Sequence, residues 1–181
     1  MPDQLKAYSF IATSLDGFIA REDGGIDWLP TYGDEDYGYE EFFSSIDALV
    51  LGRNSYELIL GFETWPYGDK PVVVLSSRPD QIPRPDGGRV HTSGGRVEEV
   101  VRDLTDSGYE RVYVDGGKTI QAFIRSKALH GITITRIPVL LGSGIPLFGE
   151  LEADVNLVHE STRSFPDGLV QSRYRFDYDR A

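Results

Sequence analysis

The sequence alternates short apolar runs with segments that have a helical period. The runs at 72–75 and 112–114 are continuously apolar, as in strands that are covered on both faces. Each run leads into turn residues, and helical segments with apolar positions three and four apart separate the strands. Residues 154–178 instead predict two antiparallel strands joined by a turn at Pro166-Asp167-Gly168. This order predicts an α/β domain with a mostly parallel sheet and an antiparallel C-terminal hairpin at its edge.

The same patterns predict the individual elements. Strands are expected over 7–20 (with a turn at Asp16-Gly17), 47–53, 70–78, near Val90, over 110–117 and over 131–142. Helices are expected over 38–46, 54–62, 96–108 and 118–129. Asn54 or Ser55 is the predicted cap of the second helix, and Gly108 is predicted to close the third.

Composition and charge exclude several classes of protein. A chain of 181 residues with 40% hydrophobic residues is typical of a globular domain. A net charge of −11 argues against nucleic acid or an anionic membrane as a partner. There is no cysteine, and His91, His130 and His159 are scattered, so no metal site is expected. The sequence shows no signal peptide and no membrane-length apolar run, which predicts a cytoplasmic protein.

A Gly-Lys-Thr follows the apolar run 112–114. A triphosphate-binding loop, G-x-x-x-x-G-K-[ST], would need glycine at position 112, where Val112 stands. The dinucleotide fingerprint G-x-G-x-x-G is also absent. What remains is a Gly116-Gly117 turn followed by a helix, whose first N–H groups suit an anion. The alternative is a tight strand-to-helix turn without a ligand.

Five motifs together resemble a known family. They are SLDGFIA, LVLGRNSYE, VVVLSS, VYVDGGKT and IPVLLGSGIPLF, in that order. The sequence resembles the dihydrofolate reductase superfamily over about Lys6 to Tyr178. It is most similar to the C-terminal domain of RibD, the riboflavin-biosynthesis deaminase/reductase, and its stand-alone homologues. The resemblance implies a single three-layer α/β domain over 1–181, which binds NADPH and often forms homodimers through the sheet edge.

The resemblance also implies a set of cofactor-binding residues. Three segments would contact the cofactor phosphates: Gly52, Arg53, Asn54 and Ser55; Ser76, Ser77 and Arg78; Gly116, Gly117, Lys118 and Thr119. The segment 76–78 would hold the 2′-phosphate of NADPH. Ala12, Ile19 and Ala20 would line the nicotinamide. Alternatives remain open: Arg53 in a surface ion pair, 76–78 as a polar turn, and the aliphatic residues as core. Asp115 is predicted to accept hydrogen bonds from the glycine turn.

The substrate side departs from the family pattern. Folate reductases carry an acid after a Trp-x-x-Pro-type loop, but here Thr31 and Tyr32 follow Trp28-Leu29-Pro30. Asp34, Asp36 and Tyr32 are the candidate catalytic residues. Lys70 replaces a tail-binding arginine of folate reductases, and Phe18 replaces the lysine of the riboflavin reductase motif. Five aromatic side chains could form one wall for a flat substrate, and plain core packing is the alternative for most of them; they are Phe18, Trp28, Tyr32, Trp65 and Tyr67.

The sequence therefore predicts an NADPH-dependent reductase of a pteridine- or pyrimidine-like molecule, acting by direct hydride transfer. Two alternatives stay open: a catalytically silent NADPH-binding protein of the same fold, and a phosphate-binding domain for another nucleotide.

Overall fold

The computed structural model describes residues 5–30, 35–85 and 88–180. Its strands are β1 (Lys6–Ser14), β2 (Phe18–Ala20), β3 (Ala48–Gly52), β4 (Val72–Leu75), β5 (Val90–Ser93), β6 (Arg111–Asp115), β7 (Leu129–Ile137), β8 (Ile145–Pro146), β9 (Asn156–Ser164) and β10 (Val170–Asp177). Its helices are α1 (Tyr39–Ser44), α2 (Arg53–Leu60), α3 (Val97–Asp106) and α4 (Gly117–Arg125), with a 3₁₀ turn at Pro79–Gln81.

Eight of the strands form one sheet in the order β5-β4-β3-β6-β1-β7-β10-β9. The pairs from β5 to β7 are parallel, whereas β10 pairs antiparallel with both β7 and β9. The predicted α/β class, the mostly parallel sheet and the antiparallel hairpin at its edge are confirmed. Strands β2 and β8 form a separate two-stranded antiparallel sheet.

Helices cover both faces of the sheet, which gives the three layers. Successive residues of β3 point to opposite faces: Val50 packs in the cluster that contains α3 and α4, and Leu51 packs in the cluster that contains Phe42 of α1 and Tyr56 of α2. A strand buried on both faces needs apolar residues at every position, which is why β3, β4 and β6 lack polar alternation. Within the described ranges, no helix has the length and hydropathy that a membrane span requires.

The start of α2 differs from the prediction. The N-cap is Gly52, so neither Asn54 nor Ser55 caps the helix. The helix begins at Arg53, directly after β3, and this leaves no room for a capping turn. By contrast, Gly108 lies just past α3 with a φ of 82°, as expected for a glycine that closes a helix.

Candidate functional site

The carboxyl ends of the parallel strands bring the three predicted phosphate-binding segments to one edge of the sheet. Gly52 at the end of β3 pairs with Leu75 of β4, directly before Ser76. On its other side, Leu51 of β3 pairs with Asp115 of β6, directly before Gly116. This edge is where open α/β sheets bind ligands.

Two pairs of residues meet so closely at this edge that only glycine fits. A Cβ atom on Gly52 would stand 2.7 Å from Oγ1 of Thr119, and one on Gly116 would stand 2.5 Å from Oγ of Ser55. Gly116 also has a φ of +99°, which side chains rarely adopt. The strand ends and the two following helices therefore meet without intervening side chains at Gly52, Ser55, Gly116 and Thr119, and we call these four residues the cradle.

Helices α2 and α4 both begin at this cradle. The first N–H groups of a helix have no partner within the helix and carry partial positive charge, which favours an anion. Arg53 is the first residue of α2, and its Nε donates to Oε1 of Glu57 at 2.6 Å. The arginine is thus in the surface ion pair that the sequence left open. Asn54 and Lys118 are exposed to solvent.

The segment 76–78 forms a polar shelf next to the cradle. The Ser76 N–H donates to the carbonyl oxygen of Ser93 at 3.0 Å, and the Oγ of Ser76 accepts the N–H of Arg78 at 3.0 Å. Ser77 and Arg78 are exposed. The hydrogen bonds of Ser76 hold this turn. The side chains of Ser77 and Arg78 face solvent beside the cradle.

Of the three residues predicted to line the nicotinamide, Ile19 lies against the glycine turn. Cδ1 of Ile19 is 2.8 Å from the position of a Cβ on Gly117, so Ile19 packs directly on the turn. Ala20 is buried at the end of β2. Ala12 packs against a small cluster that includes Trp28 and Ile137.

Asp16 ties this region together. Its carboxylate accepts the hydroxyl of Ser14 at 2.5 Å and the N–H groups of Leu141 and Gly142 at 3.2 and 2.8 Å. The bond from Ser14 is the main reason why the pKa of Asp16 is lowered. The role of Asp16 is therefore to hold the β1–β2 turn against the loop that follows β7.

The three predicted substrate-pocket residues occupy three different environments. Phe18 lies against Gly144, whose Cβ position is 3.3 Å from the Phe18 ring. Trp28 belongs to the small cluster beside Ala12, and Trp65 packs edge-on to Tyr56 and Tyr67 at 6.0 and 5.2 Å between ring centroids. Trp28 and Trp65 thus lie in different packed clusters, and the substrate pocket stays a prediction.

A different aromatic group lies on the α1 face of the sheet. Phe10 of β1 lies 5.1 Å from Phe42 and 5.6 Å from Tyr39, and Tyr113 of β6 lies 5.1 Å from Phe42. The Tyr113 hydroxyl donates to the carbonyl oxygen of Phe10 at 2.9 Å. Sequence reasoning missed this group, although the alternation of Tyr8, Phe10 and Ala12 along β1 places them on one face.

Of the candidate acids, the structure describes Asp36; Tyr32 and Asp34 lie outside the described residues. The Asp36 carboxylate accepts the N–H groups of Glu40 at 2.8 Å and Gly38 at 3.0 Å, at the start of α1. These bonds, with that of Glu40 first, lower the pKa of Asp36. An exposed carboxylate that is held ionised in this way is a poor proton donor at neutral pH.

Asp115 has the opposite environment. It is half-buried at the end of β6 and accepts the Gly116 N–H at 2.8 Å, in line with the predicted acceptor role. Burial raises its pKa to about 6, against which that single hydrogen bond acts weakly. Burial raises the pKa of neighbouring Tyr67 as well, and the charge of Asp115 adds to that shift. Asp115 can therefore exchange a proton near neutral pH, directly beside the cradle.

Lys70 is engaged away from any such chemistry. Its Nζ donates to the carbonyl oxygen of Ile46, and it lies 5.0 Å from the centroid of the Phe43 ring. These contacts tie the loop before β4 to the end of α1.

Comparison with known proteins places this geometry in a family. The profile of the RibD C-terminal domain matches residues 6–171. The Bacillus subtilis (strain 168) protein YwjB, itself uncharacterized, is 36% identical over 171 residues, which are 93% of this chain and 97% of YwjB. The structure of a candidate riboflavin biosynthesis protein from Shewanella sp. PV-4 has a TM-score of 0.86 and 37% identity, over 96% of this chain and 99% of that one.

A more distant structure shares the fold alone. Dihydrofolate reductase from Enterococcus faecalis, complexed with NADP(H), has a TM-score of 0.65 and 22% identity. The match covers 98% of this chain and 99% of that one.

Proposed function

The chain belongs to the RibD C-terminal domain family, and on this premise we propose that it is an NADPH-dependent oxidoreductase. The proposed reaction is the reduction of a pteridine- or pyrimidine-like small molecule by direct hydride transfer. The observation that carries the proposal is the cradle, where Gly52 and Gly116 lie directly beside the hydroxyls of Thr119 and Ser55 at the N-termini of α2 and α4. A cradle at two helix N-termini suits a pyrophosphate, which is what a dinucleotide presents.

The donors around the cradle fit NADPH. The turn from Gly116 to Thr119 would hold the pyrophosphate through backbone N–H groups, and Arg53 would add a permanent charge. Ser76, Ser77 and Arg78 would hold the 2′-phosphate, since that group needs hydroxyl donors and a guanidinium. Ile19, packed on Gly117, would keep water from the ring end of the cofactor together with Ala12 and Ala20.

The cofactor supplies the hydride when bound, and the chain must then supply a proton. Asp115 is the candidate donor, because its raised pKa of about 6 leaves part of it protonated near neutral pH. The donating atom would be a carboxyl oxygen, while the other oxygen keeps the Gly116 N–H at 2.8 Å. Asp36 is a weaker candidate, since its pKa is lowered by the N–H groups that it caps.

A fluorescence titration tests the proposal. NADPH absorbs where tryptophan emits, so binding transfers energy from Trp28 and Trp65 to the nicotinamide. We expect saturable binding of NADPH, weaker binding of NADH, and weaker NADPH binding by Arg53→Ala. Arg125→Ala, at the far end of α4, is the matched control. Failure of the protein to bind either cofactor would contradict the proposal.

A catalytically silent NADPH-binding protein is the alternative. It is favoured by the missing acid after Trp28-Leu29-Pro30 and by the structural engagement of Lys70. Such a protein binds NADPH but does not oxidise it with any member of a panel of pteridines, pyrimidines and quinazolines. Oxidation of NADPH with one of these compounds, followed at 340 nm, would eliminate it.

A homodimer in the cytoplasm is also part of the proposal. β9 forms one edge of the sheet and is exposed along nearly its whole length, so its outer hydrogen-bonding groups are available to a second copy. Sedimentation velocity measures the oligomeric state, and a monomer at micromolar concentration would contradict this part.

A further inference from the structure

A second polar site lies on the α1 face of the sheet. It is a groove of about 280 Å³, and none of its lining residues belongs to the predicted cofactor set. Its floor is a row across four strands, because Phe10 pairs with Thr133, Thr133 pairs with Arg173, and Arg173 pairs with Ser161. The neighbouring row ends in Arg163, which pairs with Gln171. Residues of α1 form one wall of the groove.

The groove concentrates positive charge in an acidic protein. Arg111, Arg163 and Arg173 line it, and Glu41 is the acidic residue among the lining side chains. The whole chain carries a net charge of −11. Three arginines in the lining of one groove make it locally positive in a chain with this charge, and this favours an anion.

Two of the arginines rest on aromatic rings. The guanidinium of Arg111 lies 4.3 Å from the centroid of Tyr8, and that of Arg163 lies 5.0 Å from Phe165. Nε of Arg111 is buried and finds no hydrogen-bond partner among the described residues. A buried donor without a partner costs free energy, which an anion in the groove would recover.

The carboxylates near the groove compete weakly. Oε2 of Glu160 lies 4.0 Å from Nε of Arg173, at the limit of an ion pair. Its other oxygen, Oε1, lies 4.0 Å from Nε of Arg175. The charge of Arg163 has the smallest of the effects that lower the pKa of Asp36, and the hydrogen bonds from the N–H groups of Glu40 and Gly38 have larger ones. The guanidinium groups therefore keep most of their donors for a ligand.

We propose that this groove, with Arg111, Arg163 and Arg173 in its lining, binds a small oxyanion, a phosphate or a carboxylate. This anion site does not depend on the proposed reductase function. A bidentate guanidinium fork matches both anions, so the shared chemistry is a planar or tetrahedral oxyanion.

The test observes the arginines directly. In ¹⁵N-labelled protein, the Nε–Hε resonance of Arg111 is assigned by its loss in Arg111→Gln. Inorganic phosphate and succinate are titrated separately at constant ionic strength, and the arm with the higher affinity identifies the class of anion. We expect a saturable shift of this resonance, weakened about tenfold by Arg163→Gln or Arg173→Gln. Arg175→Gln, on the same strand and similarly exposed, leaves it unchanged.

The outcomes separate this site from the cofactor site. No saturable shift with either anion, or equal weakening by Arg175→Gln, would overturn the anion site. Arg53→Gln reports on phosphate that binds at the cradle instead, and we expect no effect of this change on the Arg111 resonance. NADPH binding without a phosphate or succinate response would leave the reductase proposal standing alone. A response at Arg111 without NADPH binding would support the anion site and contradict the reductase.

Discussion

The hydroxyl oxygen of Thr119 lies 2.7 Å from the point where a Cβ atom on Gly52 would stand. Gly52 has φ −72° and ψ 157°, which any residue can adopt, so the contact and not the backbone conformation requires glycine. The end of β3 and the first turn of α4 thus touch without a side chain between them.

Gly52→Ala should therefore overpack this contact. We expect the change to lower the free energy of unfolding by about 1–3 kcal/mol, because the new methyl group meets the Thr119 hydroxyl. In a Thr119→Ala background the same change should cost less, since the obstructing oxygen is gone. Urea unfolding of the two single variants and the double variant measures the coupling. Additive costs would mean that the two residues do not obstruct each other.

Glu57→Gln should strengthen NADPH binding. Glu57 accepts a hydrogen bond from Nε of Arg53 at 2.6 Å and places a negative charge beside the cradle. Its removal should raise the affinity for NADPH by about two- to fivefold at low salt, and less at high salt because of screening. The exposed acid Asp103 of α3 provides the control, Asp103→Asn. A decrease in affinity would mean that Glu57 is needed to position Arg53.

Arg78→Gln should reduce the preference for NADPH over NADH. If its exposed guanidinium binds the 2′-phosphate, the affinity for NADPH should fall by about tenfold or more, since a charge-assisted hydrogen bond is lost. The affinity for NADH should not change, because NADH lacks that phosphate. Arg125→Gln should leave both affinities as they are. Equal losses for the two cofactors would assign Arg78 to another part of the ligand.

Asp115→Asn should impair the chemical step. If the Asp115 carboxyl donates the proton, kcat of the wild type should decrease as the pH rises through about 6, and the variant should lose about 100-fold or more in kcat. Asp36→Asn, in contrast, should change kcat by less than about twofold. Stopped-flow oxidation of NADPH across the pH range measures both. If kcat of the wild type stays constant through pH 6 and Asp115→Asn loses no activity, the proton comes from solvent.

The same variant should have a pH-dependent effect on stability. The folded-state pKa of Asp115, about 6, is higher than its ordinary value of 3.8, so the folded protein binds this proton more tightly than the unfolded chain. Stability from this group is therefore greatest below about pH 4 and declines until about pH 6. Asn keeps an acceptor for the Gly116 N–H and carries no charge, so Asp115→Asn should be more stable by about 1–3 kcal/mol at pH 8 and unchanged near pH 4.

Local patterns were enough to predict most of the elements. The apolar runs of β4 and β6, the helix closed by Gly108 and the turn at Pro166-Asp167-Gly168 depend on neighbouring residues, and the structure confirms them. The predicted cap of α2 was wrong, because the helix begins at Arg53 directly after β3 and Gly52 is its N-cap. The single domain over 1–181 and the cofactor residues stay predictions.

Long-range packing explains what the sequence could not indicate. The raised pKa of Asp115 follows from its burial in the folded protein. The arginine groove depends on sheet order, because β6, β9 and β10 each contribute one arginine to a shared surface. Phe18, Trp28 and Trp65 are all aromatic, but each packs against different residues, and this follows from the tertiary packing.

The position of β1 also governs how the protein can fold. This strand comes before the others in the chain, yet it lies between β6 and β7: Lys6 pairs with Arg111 and Tyr8 with Gly131. Pairings over such long separations require large loops to close, which slows folding. On the ribosome, β1 must remain unpaired until β6 and β7 have been synthesised. An apolar strand that is exposed for that time is a target for chaperones and for aggregation, so the yield of folded protein should depend on the rate of translation.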